Sequence, residues 1–375
     1  MESVQPDLEN SVTRKTALYE EHAKLGAQFT DFGGWEMPVR YTSDLAEHHA
    51  VRNEAGLFDI SHMAEFFVTG VDSANFLNFA LVGRASEIQN GRAKYSLICN
   101  QTGGIIDDLI VYRLADEDFL VIANAGNREA VAEALKARTA GFDVELRDES
   151  DNFGLLAVQG PRAVELLQKL TDTQLSELKY YSIDAGRLAD VDVFFARTGY
   201  TGEDGFELLV RAEHSATVWN AVLAAGESYG LVPAGLACRD TLRLEAGMPL
   251  YGHELGLDTN PFEAGFARVV RLDREEDFVG KTALAELAPV APSRKLVGLS
   301  GEGKRAARAE YPIFVEESEI GEVTSGALSP TLGYPVAMAY VSAEHASEGS
   351  VVSVDIRGTR TDFTVVKLPF YKRTK

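Results

Sequence analysis

The stretch Gly103-Gly104-Ile105-Ile106-Asp107-Asp108-Leu109-Ile110-Val111-Tyr112 sends two adjacent carboxylates into a β-rich run. A Gly-Gly turn fixes where the strand starts. Successive strand residues point to opposite faces, so Asp108, Ile110 and Tyr112 share one face while Asp107, Leu109 and Val111 share the other. One of the two acids is therefore expected to look inward. The competing reading is that both merely finish the turn, where Asp readily bonds its own backbone.

The 375-residue chain exceeds the size at which a single core keeps growing, so two or three domains are expected. Its hydrophobic fraction of 45% and charged fraction of 25% are ordinary globular values. No apolar run approaches the ~20 residues needed to span a bilayer. Met1 to Asn10 is polar and acidic, unlike a signal or transit peptide, so a cytoplasmic location is expected. Cys99 and Cys238 lack C-x-x-C spacing and read as small buried thiols. The histidines, among them His48, His49, His62, His214, His253 and His345, show no ligand spacing, and no metal site is indicated. A formal charge of -21, from 36 basic and 57 acidic residues, disfavours nucleic acid and anionic membranes as partners.

Thr16 to Gly26 reads as a short helix capped by Thr16, and Ser43 to Asn53 as a second. Between them Phe32-Gly33-Gly34-Trp35-Glu36-Met37-Pro38 reads as an irregular loop displaying an aromatic residue. Strands at 64–68, 95–99, 108–113, 119–122, 154–158, 191–196 and 205–210 mix with helices at 73–81, 128–139 and 234–246. They lack the regular rhythm of a doubly wound sheet, so the fold class is α+β. Leu-Ala-Pro-Val-Ala-Pro-Ser-Arg at 287–294 reads as a linker. It divides a first region, residues 12–288, from a second, 293–375. Six short β-type runs beyond it predict a small β-barrel or sandwich.

Three more segments look able to build a site. Glu207 is a carboxylate between Phe206 and Leu208, and it must be paired, serve a ligand or face solvent. Arg239 and Arg243 share a helix face at i,i+4 and invite an anion or a salt bridge. Gln159 ends a strand in Leu156-Ala157-Val158-Gln159-Gly160-Pro161 and could offer its amide to a cavity.

In order, Phe32 to Pro38, Phe58-Asp59-Ile60-Ser61-His62-Met63, Gly103 to Asp108, Val158 to Pro161, Thr198-Gly199-Tyr200-Thr201-Gly202-Glu203, Arg239 to Met248 and Thr324 to Gly333 resemble the glycine cleavage system T-protein family of aminomethyltransferases. The resemblance runs from about Thr16 to about Tyr371. It implies a three-part α+β fold, with two interleaved parts around folate and a C-terminal small β-barrel. It implies transfer of the methylene carbon of an aminomethyl group, carried on the dihydrolipoyl arm of an H-protein, to tetrahydrofolate, with ammonia released. By position in the family motif Asp108 is the catalytic acid beside the reactive folate nitrogens, and Tyr95, Asp108, Ile110, Tyr112, Tyr200, Glu207 and Arg239 are the residues that hold folate. A carboxylate such as Glu207 suits the paired N–H donors of a pterin, while Arg239 suits either its carbonyl or the carboxylate tail. A monomer is expected. Candidate basic patches for the H-protein are Arg294, Lys295, Lys304, Arg305 and Arg308, or Lys367, Lys372, Arg373 and Lys375. The alternatives are a folate-dependent demethylase, which shares the scaffold and the aspartate, and a non-catalytic folate-binding tRNA-modification factor, whose lysine-glycine-cysteine motif is missing here. Trp35 and His62 lie in family motifs without a role the residues themselves define.

Overall fold

The computed structural model describes residues 13–374. The reading of Met1 to Asn10 and the charge of Lys375 fall outside them. Two sheets and a barrel organise the chain. A five-stranded sheet runs in the order Arg92–Cys99, Ile105–Ala115, Asp118–Ala123, Ala64–Thr69 and Glu145–Asp148. A six-stranded sheet runs Ile183–Leu188, Val191–Ala196, Gly205–Arg211, Phe153–Gln159, Ala55–Asp59 and Leu231–Pro233. The five-stranded sheet takes all its strands from residues 64–148, a stretch inserted between Ala55–Asp59 and Phe153–Gln159 of the six-stranded sheet.

The two sheets meet face to face. Phe67, Tyr112, Leu120 and Ile122 of the five-stranded sheet pack against Phe58, Leu155, Ala157 and Leu209 of the six-stranded one. The far side of the five-stranded sheet is covered by the helices Ser73–Ala80 and Arg128–Ala137, through Phe76, Leu77, Val131 and Leu135. The six-stranded sheet is backed by the helix Ser215–Gly226 through Val218, Trp219 and Val222. The strand Ile105–Ala115 is thus buried on both faces, which is why its period-2 pattern is apolar on each side of the acids.

The expected barrel is present and closed, in the order Arg294–Gly301, Pro335–Ser342, Ser318–Leu328, Pro312–Val315, Val351–Asp355 and Arg360–Val366. Closure removes free sheet edges. The strand Pro335–Ser342 is apolar on both faces: Ala337, Ala339 and Val341 fill the barrel, whereas Val336 and Met338 pack outward against Leu244 of the helix Leu236–Glu245.

Two local readings need correction. Phe32 to Pro38 is the turn and second strand of a hairpin, Gln28–Phe32 with Trp35–Arg40, rather than an irregular loop. Gly33 and Gly34 sit at φ 59° and 86°, the left-handed pair a two-residue hairpin requires, and Pro38 is tolerated because this sheet has only two strands. The first helix spans only Tyr19–Lys24. Thr16 does not cap it, because Leu18 stands at the cap position, while the Thr16 hydroxyl accepts from Leu18 N at 3.3 Å and donates to Asp59 at 2.6 Å.

A buried ionic network locks the barrel to the first region. Arg52, on the helix Asp44–Asn53, donates to Glu203 at 2.7 Å and to Glu245 at 2.8 Å, and all three side chains are at most 4% exposed. Glu245 also accepts from Thr331 N at 3.0 Å and Thr331 Oγ1 at 2.7 Å, and from Ser329 Oγ. The Tyr371 ring lies 4.0 Å over the Arg52 guanidinium. Burial alone would raise the Glu245 carboxyl. Hydrogen bonding and charge from His48, with Ser329 and Arg52, outweigh that and hold it down to about 2. A depressed carboxyl contributes stability above its unfolded value of about 4.3 and loses it as pH falls toward the folded value. Removing one member strands buried charges, so Arg52→Ala is expected to cost about 3–5 kcal/mol. Urea unfolding checks this: an unchanged midpoint would contradict the network's role.

Candidate active site

Asp107 and Asp108 diverge as strand alternation requires. Asp107 is fully buried and points to the helix side, where Asn124 N and Nδ2 donate to it at 2.9 Å and Asn127 Nδ2 at 2.6 Å. Asp108 points into the space between the sheets, partly exposed, and accepts from Tyr95 Oη at 3.2 Å and Asn124 Nδ2 at 3.0 Å. One asparagine amide therefore ties the two acids together. It reaches them because Ala123 pairs with Leu109, which sets Asn124 opposite Asp108. Burial raises both carboxyls well above the usual range, with the Asp108 charge adding to the rise at Asp107 and the hydrogen bonds from Tyr95 and Asn124 opposing it at Asp108.

The other family-matched positions gather around the same space. Tyr112 Oη lies 2.9 Å from Thr198 Oγ1, and Thr198 donates in turn to Glu207. Glu207 sits mid-strand, and burial raises its carboxyl while Thr198 and Arg239 oppose the rise. Ile110 pairs across to Tyr95 and Ile122. Tyr95 also leans on Phe266, with ring centroids 5.4 Å apart. Tyr200 lies beneath the Arg239 guanidinium, 4.7 Å from its centre, and its hydroxyl is pushed up by burial and, among nearby charges, by Asp108.

Tyr200 and Arg239 line a cavity of about 340 Å³ together with Phe32, Arg243, His253 and Ser325. That size suits a small-molecule site. Arg243 is anchored by Asp240 Oδ1, Glu254 Oε2 and Ser325 Oγ at 2.8, 3.1 and 2.9 Å. Arg239 is not so satisfied: its Nη1 is buried without a partner, as are Glu254 Oε1 and His62 Nδ1. Unmet buried groups are uncommon in folded proteins, and Arg239 Nη1 is one that lies in the cavity wall. His62 is driven down to about 4 by burial and is neutral at pH 7, with its ring edge-on to Phe32 at 5.4 Å.

Some of these residues escaped sequence reasoning. Asn124 and Glu254 carry no local motif and enter only through strand register and chain reversal. Tyr181, whose hydroxyl is pushed up by burial and by Tyr180, Glu207 and Asp108 nearby, sits at φ 60°, a strained setting for a bulky residue that sequence does not report. Conversely, Trp35 is a core plug, 7% exposed with Arg14 stacked at 4.2 Å. Gln159 is turned inward, donating to Thr198 O at 3.0 Å and accepting from Thr201 Oγ1 at 2.9 Å, so it offers nothing to the cavity. Each candidate basic patch gives up one member to an ion pair, Arg294 with Glu263 at 2.9 Å and Arg373 with Asp204 at 3.4 Å, while Lys304, Arg305 and Arg308 of the first stay together along one groove. Among the described residues no cluster of His, Cys, Asp and Glu is arranged to hold a metal, and no helix is long and apolar enough to cross a membrane.

Comparison with known proteins gives this geometry a family. The model of the GCVT N-terminal domain matches residues 18–274, and that of the glycine cleavage T-protein C-terminal barrel domain matches 294–372. The chain belongs to the glycine cleavage T-protein family. An aminomethyltransferase of Streptomyces coelicolor is 56% identical over 366 residues, covering 96% of this chain and 98% of its own. One of Moorella thermoacetica is 47% identical over 362 residues, covering 96% and 99%. The crystal structure of the glycine cleavage system aminomethyltransferase T from Bartonella henselae aligns with a TM-score of 0.90 at 38% identity, over 96% of this chain and 98% of that one.

The site yields a pH prediction. If turnover needs ionised Asp108, activity rises with pH through its elevated folded pKa. Tyr95→Phe deletes a donor that favours the carboxylate, so the acid limb of the pH–kcat profile is expected to move to higher pH. A limb that stays in place, or moves down, would remove Tyr95 from this role.

Proposed function

We infer that this chain is the aminomethyltransferase of the glycine cleavage system. It moves the methylene carbon of an aminomethyl group on the dihydrolipoyl arm of a lipoylated H-protein to tetrahydrofolate. The carbon's bonds to sulfur and to the amino nitrogen break, and bonds to two folate nitrogens replace them. The two protons those nitrogens give up pass to the thiolate and to the departing ammonia, leaving 5,10-methylenetetrahydrofolate.

The observation that carries our assignment of roles is Asp108, a carboxylate turned into the space between the sheets and held by Tyr95 and Asn124. Fixed there, it orients the attacking folate nitrogen, accepts a proton from it, and offsets positive charge on the one-carbon unit as ammonia leaves. A raised pKa suits a proton acceptor working near neutrality better than an ordinary carboxylate would. Glu207 receives the paired N–H donors of the pterin, with Thr198 and Tyr112 holding it in register. The unpartnered Nη1 of Arg239 meets an oxygen of the same molecule. Ile110, Tyr112 and Tyr95 form the walls.

Ammonia release from aminomethylated H-protein, followed with and without tetrahydrofolate, tests this reading. Release that depends strongly on folate and yields methylenetetrahydrofolate is expected. Folate binding without turnover would redirect the substrate search to methylated amines. Asp108→Asn is expected to slow the folate-dependent reaction at least about 100-fold while folate affinity stays within about threefold. Normal turnover, or a defect confined to affinity, would take Asp108 out of the chemistry.

A further inference from the structure

Asp107 takes no part in the transfer itself, yet it is the more completely held of the two acids. Its side chain is fully buried, and every hydrogen bond it makes is as an acceptor from an amide: Asn124 N at 2.9 Å, Asn124 Nδ2 at 2.9 Å and Asn127 Nδ2 at 2.6 Å. Asp108 differs in one respect. Besides an N–H of Asn124 at 3.0 Å it has the Tyr95 hydroxyl at 3.2 Å. A hydroxyl donates or accepts as its rotation requires, whereas an amide N–H only donates.

A proton shared by two neighbouring carboxyls settles where its O–H finds an acceptor. At Asp107 it would confront N–H groups on every side, and two donors buried against each other leave both unsatisfied. At Asp108 the Tyr95 oxygen receives it, although the same hydroxyl bonds the carboxylate more strongly once the proton has left. When the pair holds one proton, that proton is therefore on Asp108 and the negative charge on Asp107. The Asn124 side chain gives one N–H to each acid, so a single planar group bridges the two across the strand. The surroundings keep this order. Among the described residues no cation lies within 4.0 Å of either acid, Ile98 faces Asp107 on the neighbouring strand, and the charge of Glu254 opposes ionisation at Asp108. The hydroxyls of Tyr181, Tyr200 and Tyr251, pushed up by burial, are uncharged near neutrality.

We propose that Asp107 is a positioning residue for the proton acceptor: its negative charge, held in place by Asn124 and Asn127, keeps Asp108 ready to take a proton from the attacking folate nitrogen. This rests on the reading that Asp108 is that acceptor. In the step the N–H bond breaks, its electron pair serves the new bond to the one-carbon unit, and the proton goes to an Asp108 oxygen. Repulsion between the paired acids makes Asp108 a stronger base than it would be alone, in the same direction as burial.

Two variants and two readouts test this. Asn127 bonds Asp107 and makes no bond to Asp108, so Asn127→Ala loosens the hold on the buried charge without entering the folate side. The shared proton then moves toward Asp107, Asp108 loses its like-charged neighbour, and it ionises at lower pH. The acid limb of the pH–kcat profile is expected to move down by about half a pH unit. Asp107→Asn removes the charge itself and is expected to move the limb down by about one pH unit or more, with plateau kcat lowered about threefold by the weaker base and the KM for tetrahydrofolate unchanged. Both shifts run opposite to that expected of Tyr95→Phe. Carbon-13 NMR of aspartate-labelled, substrate-free protein follows the Asp108 carboxyl directly, its signal being the one lost in Asp108→Asn, and Asn127→Ala serves if Asp107→Asn does not fold. A kcat limb and an Asp108 titration that both stay in place in Asn127→Ala, or move up, would overturn the role of Asp107. A titration that moves down while the kcat limb stays would uphold the pairing and remove Asp108 as the proton acceptor, so the two failures are told apart.

Discussion

Two ionisable carboxyls on a strand buried on both faces are the constraint from which the site follows. An unpaired buried carboxylate is too costly to persist, so each must collect donors or bind its proton more tightly. Asp107 collects them from Asn124 and Asn127 on the helix side, and Asp108 from Tyr95 and the same Asn124 on the inner side. Both faces of the strand are therefore specified at once, one by an asparagine turn and the other by the opposing sheet. A one-residue slip in register would exchange the two acids and leave both without partners.

The inner face holds a polar site because the two sheets do not close fully over it. Apolar side chains of both sheets, Phe67 and Tyr112 with Leu155 and Leu209 among them, seal the interface around a region where Thr198, Glu207, Tyr200 and Arg239 satisfy one another only in part. Buried polar atoms without a partner occur at several places in the molecule, Glu65 among them, and one of them, Arg239 Nη1, belongs to the cavity lining. The barrel completes one wall through Thr324, Ser325 and Gly326, so its attachment through Arg52 and Glu245 serves the cavity's shape as well as the stability of the fold.

Much of this was legible in the chain. Strand alternation separated Asp107 from Asp108, the evenly spaced β-type runs beyond residue 294 announced the barrel, and Ser43 marked the start of its helix, where it accepts from Ala46 N at 3.4 Å. What stayed hidden depends on long-range register. Asn124 matters only because Ala123 faces Leu109, and Glu254 only because the chain returns beneath Arg243. The hairpin at Gly33-Gly34 was missed because Pro38 reads locally as a breaker, and its tolerance follows from the sheet having no third strand. The basic runs looked like patches in one dimension. Folding paired Arg294 and Arg373 with acids distant in sequence and brought Arg357 beside Lys304 and Arg305.

The Arg52 network also bears on the order in which this molecule can be finished as it is made. Arg52 leaves the ribosome with the first helices, but its partners Glu203, Glu245, Thr331 and Tyr371 emerge progressively later. Until the barrel is out, the guanidinium cannot be buried in its final setting, and the surface around it must stay hydrated. Nascent chains held short of residue 331 therefore expose a polar seam where the finished protein has a closed joint. That seam keeps the growing first region wet and unsealed along its future barrel face until synthesis is nearly complete.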